Sequence, residues 1–196
     1  YQIAVTDENT IRSRCLDIIH TAALDLHEKR LIVYKEKTGE IKPTNLSTIA
    51  SNYYITPETM KNYAQNVSPN MSDIEILRLF CLSNEFKHIS VRPEEVPEVA
   101  KLIEKVPVPI KGKPNEPMSK INVLLQCYIC RIPLRGFSLM ADLVYISQSA
   151  ERLMRCILEL SLTFGLASTS MTALSYAKMV GRRMWDVQLP LRQFPD

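Results

Sequence analysis

With 196 residues, 46% of them hydrophobic and 23% charged, the composition is that of a globular protein and excludes a disordered or fibrous one. The 24 basic and 21 acidic side chains leave a net charge of +3, which by itself selects no partner. No run reaches the roughly 18 consecutive apolar residues of a membrane span, and no basic-then-apolar leader is present.

The first elements in chain order are a helix and a hairpin. "TIRSRCLDIIHTAALDLHEKR" places Ile11, Cys15, Ile18, Ile19, Ala22 and Leu26 at helical intervals. "LIVYKEKTGEIKPT" switches to strand character and breaks at Lys37-Thr38-Gly39-Glu40, where Gly39 can take a positive φ and turn a hairpin. A helix followed by a short charged hairpin has the look of the end of a winged-helix domain. Beginning at Tyr1 without a methionine, the sequence is expected to be a piece of a longer protein.

From Thr44 onward the pattern is helical. Thr44 is a plausible N-cap for "NLSTIASNYYI", and Thr56-Pro57-Glu58 opens another helix with proline in its first turn. "SDIEILRLFCL" has Ser72 as cap and Glu75 three residues on, a capping box. "RPEEVPEVAKLIEKV" predicts a charged helix whose start is blurred by Pro93 and Pro97. "PVPIKGKPNEP", residues 107–117, is an extended connector, and "SKINVLLQCYICRI" a buried helix. A long helix over 138–164 follows, then "TSMTALSYAKMVGRRMW" as one more helix and "LPLRQFP" as an extended exit.

Several chemistries find no support. Five glycines, at 39, 112, 136, 165 and 181, form neither G-x-x-x-x-G-K-[ST] nor G-x-G-x-x-G, so no phosphate cradle of backbone amides is encoded. Cys127 and Cys130 form a lone C-x-x-C inside a helical pattern, without two further ligands at matching spacing for zinc. The odd count of five scattered cysteines suits a reducing compartment, cytosol or nucleus. His20 and His27 lie two helical turns apart, too far for one proton relay, and are expected to be structural. No catalytic residue and no metal ligand is assigned.

Charge distribution is more informative than its total. Residues 1–130 balance 16 basic against 16 acidic side chains, whereas residues 131–196 carry 8 against 5. Seven of those eight are arginines, whose planar fork suits phosphate pairing and stacking. Two of the seven lie on the long helix. There Leu139, Leu143, Ile146, Ala150, Leu153, Ile157, Leu160 and Phe164 recur at alternating spacings of four and three, widened by Met140, Val144, Met154 and Leu158. A helix apolar over more than half its circumference is central, and the arc left open holds Tyr145, Gln148, Ser149, Arg152, Arg155, Cys156 and Glu159. Tyr145, Ser149 and Arg152 form one row along it. A ring and a guanidinium two turns apart can each stack on a base, with hydroxyl and amide between them for phosphate or sugar. An arc that simply faces water or a partner domain would have the same pattern.

Taken together and in order, "HTAALDL", "IASNYYIT", "KINVLLQCYI", "GFSLMADLVYISQSAERLMR", "KMVGRRMW" and "PLRQF" resemble the winged-helix end and helical bundle of the Ski-type superfamily 2 RNA helicases. The bundle corresponds to the first part of the Sec-63 homology region. "EFKHISVRPEE" and "VPVPIKGKPNEP" are most similar to the spliceosomal branch of that family, and less to its activating-signal cointegrator branch. The resemblance implies a mainly α fold: about seven helices from Thr44 to Trp185, preceded by a helix and hairpin of a truncated winged helix. It divides the chain into residues 1–43, the end of the winged helix, and residues 44–196, the bundle. It implies a nuclear parent protein that uses ATP and magnesium, in motor domains outside this chain, to unwind paired small nuclear RNAs during splicing. Helix 138–164 matches the family's ratchet helix, which lines the channel for single-stranded RNA, and the implied strand-facing sites fall near Tyr145 and Arg152, on the open arc that also offers Gln148 and Ser149 as RNA-binding candidates. The partners implied are single-stranded RNA, the motor domains of the same polypeptide and other spliceosomal proteins, with no membrane. No cofactor is implied for the chain itself. A competing expectation is an interaction scaffold whose arginines contact proteins.

Overall fold

A computed structural model describes residues 8–194. Residues 1–7 of the expected winged-helix unit, and Pro195 of the expected exit segment, lie outside the described residues.

Helix α1 (Glu8–Glu28) leads into an antiparallel hairpin of β1 (Ile32–Lys35) and β2 (Glu40–Pro43), with Tyr34 opposite Ile41 and Lys35 opposite Glu40. Gly39 takes φ +69° in the turn, as its lack of a Cβ allows, and Lys35 Nζ closes it on the Glu40 carboxylate at 2.7 Å. Both histidines join helix to hairpin. His20 Nδ1 lies 2.8 Å from the Tyr34 hydroxyl, and His27 Nδ1 accepts the Tyr34 backbone N–H at 3.2 Å.

Seven helices follow: α2 (Asn45–Asn52), α3 (Pro57–Asn66), α4 (Asp73–Cys81), α5 (Val96–Ile103), α6 (Pro117–Cys130), α7 (Phe137–Thr163) and α8 (Ala167–Arg182). Their starts are set locally. Thr44 and Ser47 form a capping box at α2, the Thr56 hydroxyl accepts the Thr59 N–H at α3, and Glu75 reaches back to the Ser72 N–H at 2.8 Å. Short 3-10 turns occupy Asn84–Phe86 and Pro93–Glu95, the latter holding Pro93, while Pro97 sits in the first turn of α5. The exit segment is not extended: Pro190–Gln193 is a 3-10 turn, drawn in where Arg131 Nη2 donates to the Gln193 carbonyl at 3.3 Å and Arg182 to its side-chain oxygen.

A single apolar core runs from Leu31 to Trp185. Helix α6 is its axis, with Val123, Leu124, Leu125 and Ile129 fully enclosed. Two polar side chains on α6 are equally enclosed. Gln126 grips the connector by bonding both the N–H and the carbonyl of Val108, at 2.9 and 3.0 Å. Lys120 reaches Glu95 and Asp142, each at 2.6 Å, and the Ser90 carbonyl at 2.9 Å. These bonds tie the 3-10 turn at Pro93–Glu95 to the first turns of α7.

The buried face of α7 holds Leu139, Ile146, Ala150, Leu153, Met154, Ile157 and Leu160. Several expected members of that face depart from it: Met140, Val144 and Phe164 are exposed, and Leu143 is only half-buried. Length accounts for the departure near the N-terminus. At about 1.5 Å per residue the 27-residue α7 is about 40 Å long, and the 16-residue α8 that turns back along it covers about 24 Å. The first turns of α7 therefore lie beyond the cover of α8.

Candidate nucleic-acid interface

Burial of the α7 seam presents the opposite side of the helix outward. Tyr145 and Gln148 are exposed there, and Ser149 and Arg152 are half-buried. Cys156, expected on the same arc, is enclosed instead: its sulfur lies 3.8 Å from Met60 Sδ, and burial pushes its thiol up to about 12.

The row is held at both ends by backbone distant in sequence. The Tyr145 hydroxyl donates to the Glu85 carbonyl at 2.9 Å, with the Phe86 ring edge-on at 6.5 Å. Arg152 donates to the Tyr53 carbonyl at 3.2 Å, to the Tyr54 carbonyl, and to Ser149 Oγ at 3.1 Å. Its partners are two carbonyls and a hydroxyl, so among the described residues no carboxylate neutralises its charge. Neighbouring cations and anions do pair. Arg155 closes on Glu151 at 2.9 Å, and Glu159 takes the Tyr53 hydroxyl, which with burial pushes that phenol up to about 12. Arg152 is thus the cation of the row without a fixed counter-ion, beside a ring, a hydroxyl and an exposed amide.

One residue of this neighbourhood was not singled out by sequence reasoning. The segment "NLSTIASNYYI" does not stay helical to its end, because α2 stops at Asn52. Tyr54 takes φ +52° just after it, and Ile55 N–H returns to the Ala50 carbonyl at 2.8 Å, closing a Schellman-type cap. Glycine favours that position, since a Cβ is crowded at positive φ. The Tyr54 ring gains no packing in return: it is 85% exposed, on the residue whose carbonyl Arg152 holds. The available signal was two aromatic residues at the end of a short helix that lacks a glycine stop.

Such a row offers ring faces, hydrogen-bond donors and a guanidinium without a carboxylate partner, the group types that stack on bases and pair with phosphate. Burial pushes the Cys127 thiol up to about 12, and Cys130 Sγ accepts the Trp185 indole N–H at 3.0 Å. Among the described residues no three of His, Cys, Asp and Glu are grouped to hold a metal, and no helix is long and apolar enough to cross a membrane.

Residues 43–196 match the family described as the Sec63 Brl domain. The chain is 51% identical over 181 residues to the U5 small nuclear ribonucleoprotein 200 kDa helicase of Homo sapiens, with 92% of the chain and 8% of that protein covered. It is 46% identical over 197 residues to an activating signal cointegrator 1 complex subunit 3-like protein of Dictyostelium discoideum, covering 99% of the chain and 9% of the relative. It is 44% identical over 190 residues to the pre-mRNA-splicing factor brr2 of Schizosaccharomyces pombe, covering 97% and 9%. The chain therefore spans less than a tenth of the length of these relatives. With the family match covering α2 through α8 and the cap-to-cap order of helices in place, the chain belongs to the Sec63 Brl domain family.

Proposed function

We propose that this chain is the strand-guiding accessory domain of an ATP-dependent RNA helicase that unwinds paired small nuclear RNAs in the nucleus during pre-mRNA splicing. Residues 1–43 form the end of a winged helix and residues 44–196 the bundle. ATP and magnesium belong to motor domains outside this chain, and other spliceosomal proteins surround it. The relatives named as a small nuclear ribonucleoprotein helicase and a pre-mRNA-splicing factor support the setting.

The observation that carries the strand-guiding role is Arg152, whose guanidinium is held by two carbonyls and a hydroxyl with no carboxylate among the described residues, on the same open row as the Tyr145 ring. Phosphate oxygens of a single strand compete for that guanidinium, and bases stack on Tyr145 and Tyr54 beside it. Gln148 and Ser149 supply hydrogen bonds between the two platforms.

Strand separation by a purified full-length helicase carrying this domain tests the reading. Changing Tyr145 and Arg152 together to Ala removes two platforms, each worth about 1–3 kcal/mol if a base stacks there. Unwinding is expected to slow markedly while RNA-independent ATP hydrolysis persists. Equal unwinding by the wild type and the double variant would leave the scaffold function instead.

A further inference from the structure

A second cationic feature lies where α6, α8 and the exit turn converge. Arg131 and Arg183 are the residues that end α6 and α8, both left-handed at φ +58° and +51°, a conformation that glycine adopts more readily than arginine. Arg131, Arg182 and Arg183 line one hollow of about 380 Å³ together with Gly181, Gln193 and Phe194. Arg131, Arg192 and Phe194, with Leu191, line a second of the same volume. Among the described residues no carboxylate lines either hollow, and the polar partners of these arginines are neutral groups. Arg131 and Arg182 share Gln193, and Arg183 lies 4.4 Å from the Tyr128 ring centroid with its Nε donating to the Tyr128 carbonyl at 3.4 Å. Arg131 Nε is buried with no protein partner among the described residues.

Helix termini explain part of this arrangement, because cations are favoured where carbonyls end a helix. They do not account for four guanidiniums around two open hollows that no described carboxylate lines. The hollows also continue toward α7. A groove lined by Glu151, Arg155, Lys178, Gly181 and Arg182 shares Gly181 and Arg182 with the first hollow, and its Arg155 is one turn of α7 from Arg152.

We propose that Arg131, Arg182, Arg183 and Arg192 form a second phosphate-binding station for single-stranded RNA, downstream of the α7 row along the Arg155–Arg182 groove. This rests on the strand-guiding function above. Guanidinium forks pair with phosphodiester oxygens, and the exposed Phe194 offers a ring between the hollows. Such a station takes backbone phosphates without reading sequence.

The test is binding of a fluorescent oligouridylate to the chain at salt from about 50 to 200 mM, with polyglutamate as a second probe. The double variant R182Q/R183Q is expected to bind oligouridylate about tenfold more weakly. Its log–log salt slope should be shallower by about 1.4, at about 0.7 for each single-strand phosphate that is no longer neutralised. Arg183→Gly removes one cation and its Tyr128 contacts while supplying the residue that the left-handed position favours, and weaker binding with an unchanged urea midpoint separates lost phosphate pairing from unfolding. Arg183→Lys should retain most of the affinity. If R182Q/R183Q binds like wild type while Y145A/R152A is impaired, the station is overturned and the α7 row stands. If only R182Q/R183Q is impaired, the station stands and the α7 row falls. Polyglutamate binding as tightly as oligouridylate, with the same loss on substitution, overturns the RNA assignment in favour of an acidic protein segment. Absence of measurable oligouridylate binding by the wild-type chain overturns it as well.

Discussion

Tyr54 and Tyr145 separate the cost of a side chain from its use. Tyr54 holds a left-handed position with its ring in solvent, so the fold gains little from it. Replacing it with Gly relieves about 1–2 kcal/mol of backbone crowding and returns part of that through the freer unfolded chain. The net expectation is a gain of about 0.5–1 kcal/mol in the urea unfolding free energy, accompanied by weaker binding of single-stranded RNA. A loss of stability would show that the ring has a packing role. Tyr145→Phe makes the opposite division. It removes the hydroxyl bond to the Glu85 carbonyl but keeps the ring. About 0.5–1.5 kcal/mol of stability should be lost, with RNA affinity nearly unchanged.

At the scale of elements, the buried Lys120 decides how α7 is seated. Its ammonium joins Glu95, on the turn before α5, to Asp142 on α7, and Ser138 of α7 donates to the same Glu95 carboxylate. Burial acts to raise the Glu95 carboxyl, but the hydrogen bonds from Lys120, Ser138 and the Arg92 N–H outweigh it and hold the group below its ordinary 4.5. A carboxyl depressed in the folded state contributes stability above its unfolded value, and that contribution is lost as pH falls through the folded one. The urea midpoint should therefore drop as pH is lowered below about 4.5, as this linkage requires. Lys120→Met leaves Glu95 buried without its main cation. It is expected to cost about 3 kcal/mol at neutral pH and to flatten the acid limb of the profile. An unchanged acid limb in that variant would assign the pH dependence to other carboxylates.

Across the whole molecule, stability is unevenly distributed. The core is continuous from Leu31 to Trp185, but α1 contributes only Ala23 as a buried residue, and Leu16, Ile18 and Ile19 are exposed on it. It meets the bundle through Leu26, half-buried against the core, and through ion pairs, with Lys29 bridging Asp25 and Glu58 at 2.6 and 2.7 Å and Glu28 lying 3.6 Å from Lys61. Sparse apolar packing means a low cost of local opening. Amide hydrogen exchange should be fast over residues 8–20 and slowest in α6. Protection in α1 equal to that of α6 would show that the helix unfolds only with the bundle.

What the sequence determined by itself is what short-range chemistry controls. Thr44 and Thr56 cap helices because their side-chain oxygens meet N–H groups three residues on, Glu75 reaches back to the Ser72 N–H over the same span, and Gly39 turns the hairpin because its backbone freedom is intrinsic. The 3.6-residue period put Ile146, Ala150, Leu153 and Ile157 in the core and left Tyr145, Gln148, Ser149 and Arg152 outside the fully buried seam. Only the tertiary structure decided what those residues meet. Arg152 finds carbonyls almost a hundred positions away, Tyr54 is exposed where a helix was expected to continue, and four arginines from three elements share two hollows. Periodicity gives the angle of a side chain around its own helix. It does not give the lengths and meeting points of neighbouring helices, which is why Met140 and Val144 lie in solvent and Cys156 lies inside.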